Sequence, residues 1–159
     1  MKFSVRGRAL AIAVASASLI AVPLAMPASA AVPGKCTKLG TKTVGTNLTA
    51  TLSGCTPTAA TGGSGSGTFK AAPKGSTKGT LAITITWASK KGTTKGTITF
   101  AKQATIGKCP KGSTRDKITG KVTGGTGTAV KTIKAGQAIA GSVCIGKSDT
   151  LEPGTALTF

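Results

Sequence analysis

The chain contains no histidine and only three acidic side chains, Asp116, Asp149 and Glu152. Without histidine it has no Ser-His or Cys-His pair that could activate a nucleophile. No serine is followed three residues later by lysine, so the S-x-x-K arrangement of serine acyltransferases is also missing. Glycoside hydrolysis usually needs two positioned carboxylates, and only Asp149 and Glu152 lie close in sequence. We expect the three carboxylates to cap turns and pair with lysines, and we predict a non-enzymatic protein without a cofactor.

Aromatic residues are also scarce, because the chain has no tyrosine, one tryptophan and four phenylalanines. Proteins that bind single-stranded nucleic acid stack the bases on aromatic side chains. We therefore expect no specific nucleic-acid partner. Trp87 lies on the apolar face of a predicted strand, where packing in the core is its expected role.

Long apolar runs are confined to the N-terminus. Residues 1–8 are positively charged, residues 9–26 are almost continuously apolar, and Ala28-Ser29-Ala30 places small residues where signal peptidase requires them. This layout predicts a signal peptide over residues 1–30, cleaved between Ala30 and Ala31. A single membrane anchor is the alternative for the apolar run. Residues 31–159 would then form one secreted domain without a transmembrane segment. We expect this domain outside the cell, either released or associated with the cell wall.

Four cysteines in an exported domain predict a disulfide framework. The number of cysteines allows three pairings, and we favour neighbours in order, Cys36 with Cys55 and Cys109 with Cys144. A metal site is the alternative. It is disfavoured because the chain has no C-x-x-C spacing and no histidine, and three scattered carboxylates are too few for calcium.

Apolar and polar residues alternate with period two through much of the mature chain, a pattern that indicates β-strands. The pattern is clearest in residues 79–89, where every second residue from Leu81 to Trp87 is apolar. Further strands are predicted over 48–53, 67–71, 96–102, 117–123, 130–134, 138–145 and 155–159, the last with Leu157 and Phe159 inward. Turns rich in glycine and lysine separate them. The prediction is an all-β fold, an antiparallel sandwich or partly closed barrel of about 7–9 short strands stapled by disulfides.

Residues 141–148 match the phosphate-loop pattern G-x-x-x-x-G-K-[ST]. That motif requires a helix directly after the loop, so that the helix N-terminus faces the phosphate. Here Val143 and Ile145 alternate as in a strand, Cys144 is expected in a disulfide, and residues 149–154 have the composition of a turn. We interpret the match as a coincidence in a chain rich in glycine and lysine.

Basic residues outnumber acidic ones 21 to three, which corresponds to a formal net charge of +18. Loss of Lys2, Arg6 and Arg8 with the signal peptide would lower this charge by three, to +15. A charge of this size favours association with an anionic polymer or surface.

The lysines have two explanations. Lysines on solvent-facing strand positions keep strands from pairing edge to edge, and Lys117 and Lys121 fit this explanation. The turn lysines fit it less well, because an up-and-down order of strands would bring alternate connections to the same end of the sheet. A group that we call the predicted pole would form the polyanion-binding site: Lys74, Lys78, Lys108, Lys111 and Arg115. The opposite end would hold Lys90, Lys91 and Lys95, which we expect to contribute less per charge.

A series of short motifs follows one order along the chain. Ile85-Thr86-Trp87, a Lys-Lys-Gly-Thr-Thr turn and Thr97-Ile98-Thr99-Phe100 precede Val122-Thr123-Gly124-Gly125 and Cys144. This order resembles small secreted all-β actinobacterial proteins of unknown function, and it covers the middle and end of the mature chain. The resemblance implies a secreted all-β domain and carries over no functional residues. The chain departs from these proteins in its load of lysine.

The leading functional hypothesis is a secreted non-enzymatic protein that associates with anionic cell-envelope polymers or surfaces through basic turn residues. The alternative is a structural, surface-exposed β-domain whose charge only maintains solubility. An enzyme of unrecognised type is the third possibility. Salt-dependent retention on a polyanion separates the first two hypotheses.

Overall fold

The computed structural model of the chain describes residues 33–44, 47–70 and 80–159. The predicted signal peptide, its cleavage site between Ala30 and Ala31, and the turn lysines Lys74 and Lys78 lie outside these residues. Within them, the strands are β1 (Lys35–Val44), β2 (Asn47–Thr56), β3 (Ser64–Lys70), β4 (Thr80–Trp87), β5 (Gly92–Lys102), β6 (Thr114–Thr126), β7 (Ala138–Ile145), β8 (Thr150–Leu151) and β9 (Leu157–Thr158). One turn of α-helix, α1 (Thr58–Thr61), and a 3₁₀ helix (Gly127–Lys131) complete the secondary structure.

The strands form a closed antiparallel barrel. Each strand from β1 to β6 pairs with the next in sequence, and β9 pairs with both β7 and β1, which joins the two ends of the sheet. The barrel therefore has eight strands, and β8 is an additional short strand paired with β7. The all-β prediction is confirmed, and of its two architectures the barrel is the one found. Closure is complete rather than partial, so β5 and β6 are hydrogen-bonded on both sides.

The core lies inside the barrel and follows the predicted alternation. Ile83, Ile85 and Trp87 of β4 are buried, while Thr84 and Thr86 between them are exposed. The remaining buried apolar side chains come mainly from β2, β5, β6, β7, β9 and the C-terminus and include Leu52, Ile98, Ile118, Val122, Ile139, Val143, Leu157 and Phe159. Leu157 and Phe159 face inward as expected. Gly65 is required beside Trp87, because a Cβ there would come within 2.6 Å of the indole ring.

The single tryptophan of the chain is held by a buried hydrogen bond. Its Nε1–H donates to Thr94 Oγ1 at 2.7 Å, and the two side chains are 2% and 1% exposed. The indole also packs edge-to-face on Phe159, with ring centroids 5.7 Å apart. Trp87 is thus a core residue, as its position in the alternating pattern predicts.

One end of the barrel is closed by the chain between β6 and β7. Residues 130–134 were predicted as a strand, and this prediction is wrong. Val130 and Lys131 belong to the 3₁₀ helix, and a turn follows. Ala129 of the helix and Ile133 just after it both face the interior, where each is 0% exposed, and the Ile133 N–H donates to the Ala129 carbonyl at 2.8 Å. This segment contacts α1, which also lies at that end.

Strand β1 was not predicted, because its apolar residues do not alternate. Cys36 and Leu39 are three positions apart, yet both lie opposite inward-facing residues of β2, Cys55 and Leu52. Between these two pairs, the side of the strands that faces inward changes. Gly54 of β2 lies there with a φ of 62°, in the left-handed conformation. Because of this irregularity, the inward-facing residues of β1 do not alternate with period two in the sequence.

Both favoured disulfides are present. Cys36 and Cys55 are direct cross-strand partners in β1 and β2, and Cys109 in the β5–β6 connection is bonded to Cys144 in β7. The second disulfide lies on the side of β7 opposite the buried Val143, outside the barrel wall. It fixes the connection that carries Lys108 and Lys111.

Residues 141–148 do not form a phosphate loop. Ala138–Ile145 is a strand, residues 146–148 form a bend, and β8 follows instead of a helix. No helix in the described part of the chain is both long enough and apolar enough to cross a membrane.

Candidate anion-binding surfaces

The described members of the predicted pole lie at the end of the barrel opposite the 3₁₀ helix. Since β3 to β6 run up and down in order, β3 ends and β4 begins at the same end as the β5–β6 connection. Lys108 and Lys111 are exposed in the β5–β6 connection, while Lys74 and Lys78 lie outside the described residues. Lys90 and Lys91 occupy the β4–β5 turn at the opposite end, as expected, whereas Lys95, expected with them, is instead an outward-facing residue of β5.

Arg115 of the predicted pole is engaged in an ion pair. Its Nε–H donates to Glu152 Oε2 at 2.8 Å, and the backbone N–H of Lys108 donates to Glu152 Oε1 at 2.9 Å. The Glu152 side chain is 5% exposed. The Lys108 hydrogen bond and the Arg115 guanidinium lower the pKa of Glu152 below its ordinary value. Glu152 therefore braces the β5–β6 connection and neutralises one of the cations expected to bind an anion.

The other two carboxylates also lie at this end. Asp149 Oδ1 accepts from the Gly146 N–H at 3.3 Å, and the Asp149 N–H donates to Thr41 Oγ1 at 3.2 Å. Asp116 was expected to cap a turn, and this prediction is wrong. It is a β6 residue, only 7% exposed, on the same side of the strand as the buried Ile118. Burial raises its pKa, Lys102 opposes the increase, and Asp149 adds to it.

The positions of the carboxylates change the electrostatic expectation for the predicted pole. Glu152 contacts two described members of the pole, Lys108 and Arg115, and Asp116 and Asp149, whose charges interact with each other, lie at the same end of the barrel. Asp149 and Glu152, considered as a possible catalytic pair, have separate partners, since Glu152 binds Arg115 and Asp149 binds a turn N–H. The pole therefore combines positive and negative groups.

At the opposite end, lysines lie in the β4–β5 turn and in the 3₁₀ helix, and these two segments contact each other. In the β4–β5 turn, Ser89 and Lys90 have positive φ values of 53° and 55°, and the Lys91 N–H donates to the Ala88 carbonyl at 3.1 Å. Two consecutive residues with positive φ form the type I′ pattern of tight hairpins, which usually uses asparagine and glycine. The Lys91 carbonyl accepts from the Ala129 N–H at 3.0 Å, so the turn is fastened to the 3₁₀ helix.

A third basic surface lies on the outside of β5 and β6. We call it the lysine–threonine wall; its members are Lys95, Thr97 and Thr99 of β5 with Lys117, Thr119 and Lys121 of β6. Thr97 is directly opposite Lys121, and Thr99 is directly opposite Thr119. The Thr99 and Thr119 hydroxyl oxygens are 3.0 Å apart. Sequence reasoning missed this surface, although Thr97-Ile98-Thr99 in β5 and the alternation of Lys117, Thr119 and Lys121 in β6 mark it.

A shallow open depression of about 280 Å³ lies in the wall. It is lined by Thr80, Thr97, Ile98, Thr99, Thr119, Gly120 and Lys121. Four of these residues are threonines and one is a lysine, so hydroxyl groups and one ammonium group line the depression. Both kinds of group can donate hydrogen bonds to anionic oxygens, and the hydroxyls can also donate to and accept from alcohol groups.

Metal-ligand groups and free thiols are absent from the described part of the chain. No group of three or more His, Cys, Asp or Glu side chains within it could hold a metal ion, and all four cysteines are in disulfides. Comparison with protein families, curated proteins and solved structures finds no match to this chain.

Proposed function

We propose that this protein is exported, is not an enzyme, and associates with anionic polymers of the cell envelope through exposed basic residues. The carrying observation is the excess of unpaired positive charge. Among the described residues, Arg115–Glu152 is the only ion pair within 4.0 Å, whereas almost every described lysine side chain is exposed. Anionic groups supplied from outside would relieve the resulting repulsion.

The covalent structure supports the proposed location. Disulfides form and persist mainly in oxidising compartments outside the cytosol, and two of them staple this domain. An extracellular location is therefore compatible with the chain, and retention at the cell wall is part of the proposal.

The test is retention of the mature protein on immobilised polyanion as a function of salt. Binding through several lysines predicts a linear decrease in the logarithm of the binding constant with the logarithm of salt concentration. A folded control protein of equal net charge and different lysine placement is run alongside. Stronger retention and a steeper slope for this protein support the proposal. Equal retention would support the solubility explanation instead.

A further inference from the structure

We propose that the lysine–threonine wall is the principal contact surface and that its ligand is a polymer of polyols linked by phosphodiesters. This inference rests on the proposed function and deepens it by naming the surface and the chemistry of the partner. Lys95, Lys117, Lys121 and Thr119 are exposed, and Thr97 and Thr99 are half-buried.

Closure of the barrel removes the structural explanation for the wall lysines. Lysines on strands protect free edges from pairing with another chain. Lys117 and Lys121 lie on β6, which is hydrogen-bonded to β5 on one side and to β7 on the other. Lys95 lies on β5, which is paired with β4 and β6. None of the three lysines has an edge to protect.

The wall itself carries no carboxylate; Glu152, bound to Arg115, lies beside its Lys117 end, because the Glu152 N–H donates at 2.9 Å to the carbonyl of Ser142, the β7 partner of Lys117. The wall's outward positions, and those of the neighbouring strand β4, carry threonine, alanine and lysine, and no carboxylate. The three acidic side chains are instead in the barrel interior or around the β5–β6 and β7–β8 connections. Among charged side chains, an approaching anion therefore meets only positive ones on the wall and a mixed field at the predicted pole.

The spacing of the lysines suits an extended ligand. Lys117 and Lys121 are four residues apart on one strand, which corresponds to about 13 Å. Lys95 is two residues beyond the partner of Lys121, or about 7 Å further along. The charges thus form a line along the barrel, with the hydroxyls of Thr97 and Thr119 between them. A polymer with repeated charges can contact all three lysines, whereas one small anion cannot.

The side-chain chemistry favours phosphodiesters over carboxylates. Arginine recognises carboxylates through two parallel hydrogen bonds, while lysine binds phosphate as a point charge. The one described arginine, Arg115, is already bound to Glu152. Nucleic acid is disfavoured as the phosphodiester, because the wall presents no aromatic side chain for base stacking. Threonine hydroxyls can instead form hydrogen bonds with the alcohol groups of a polyol, and Thr97, Thr99 and Thr119 line the depression that such a polyol would contact.

The test compares two triple variants of the mature protein. Lys95→Gln, Lys117→Gln and Lys121→Gln neutralise the wall. The matched control, Lys35→Gln, Lys38→Gln and Lys42→Gln, removes three exposed lysines from β1, which lies four strands from β5 and three from β6 around the eight-stranded ring. The probe is lipid-free poly(glycerol phosphate), with single-stranded DNA as a second arm. Circular dichroism verifies that each variant folds.

We expect the wall variant to bind poly(glycerol phosphate) roughly 100-fold more weakly than wild type at 0.1 M salt. Each contact to a flexible phosphate chain contributes about 0.7 to the salt slope, so three lost contacts lower the slope by about two. The β1 variant should lose much less, and replacement of the three wall lysines by arginine should restore binding.

The outcomes separate the inference from the proposed function. Failure of the wild type to bind any polyanion better than a charge-matched protein would overturn the proposed function. Equal losses for the wall and β1 variants, with strong wild-type binding, would overturn the inference alone. Tighter wild-type binding to single-stranded DNA than to poly(glycerol phosphate) would overturn the assignment of the ligand.

Discussion

Replacement of Thr94 by valine should destabilise the protein although it preserves the shape of the side chain. The substitution removes the acceptor of the Trp87 indole N–H, a bond of 2.7 Å between two side chains that are at most 2% exposed. A buried donor left without a partner costs about 1–3 kcal/mol. For a domain of this size, such a loss lowers the melting temperature by roughly 4–12 °C.

Fluorescence provides the assay, because Trp87 is the only tryptophan of the chain. Urea unfolding of Thr94→Val is followed by its emission and, independently, by far-UV circular dichroism, and coincident transitions justify a two-state analysis. The control is Thr84→Val, a substitution at an exposed position of β4, which should change stability by less than about 0.5 kcal/mol.

A double-mutant cycle isolates the hydrogen bond from other effects of the valine. In the Trp87→Phe background, where unfolding is followed by circular dichroism alone, the N–H donor is absent, so Thr94→Val should cost much less than in the wild type. A similar cost in both backgrounds, or a cost below about 0.5 kcal/mol in the wild type, would show that the bond does not stabilise the core.

Other predictions follow from the polar groups, the second disulfide and the strained turn. Glu152→Gln should destabilise the protein at pH values above the ordinary carboxyl pKa and have less effect in acid. The pKa of Glu152 is lower in the folded state than in the unfolded state, so its ionised form stabilises the fold above the unfolded-state pKa, and this contribution is lost as the pH falls through the folded-state pKa. Thermal melts at a series of pH values test this prediction. Asp116→Asn should show the opposite sign and raise stability most at neutral pH, because a raised pKa opposes folding once the group ionises; a lower melting temperature at pH 7 would contradict it. Replacing Cys109 and Cys144 by serine should cost about 3–4 kcal/mol in urea unfolding, from the loop-entropy estimate for a separation of 35 residues. Lys90→Gly should raise the melting temperature by relieving a positive φ of 55°, whereas Lys90→Ala, which also removes the charge, should not.

Local alternation made most of the barrel predictable from the sequence. In β4, the residues from Leu81 to Trp87 alternate in sequence and in burial, so the inward face could be assigned directly. The disulfide pairs were also predictable, since four cysteines leave few pairings. The segment from Val130 to Lys134 was mistaken for a strand because five residues are too few to distinguish period two from a helical turn.

Contacts between distant residues explain what the sequence could not predict. Glu152 and Arg115 are hydrogen-bonded although they are 37 residues apart in sequence, and Asp149 and Thr41 are bonded although they are 108 residues apart. No local sequence pattern connects these partners. The wall was missed for a related reason. Lys117 and Lys121 appeared to protect a strand edge, and only the pairing of β6 with β7 reveals that this edge does not exist.

Lysine footprinting tests the central claim most directly. A chain of residues 31–159 is modified with an amine-reactive reagent with and without poly(glycerol phosphate), and the change in reactivity is measured by mass spectrometry for each lysine. The account predicts strong protection of Lys95, Lys117 and Lys121, with Lys38 and Lys42 of β1 unchanged. Protection that is uniform over the surface, or that is confined to Lys108 and Lys111 at the predicted pole, would contradict it.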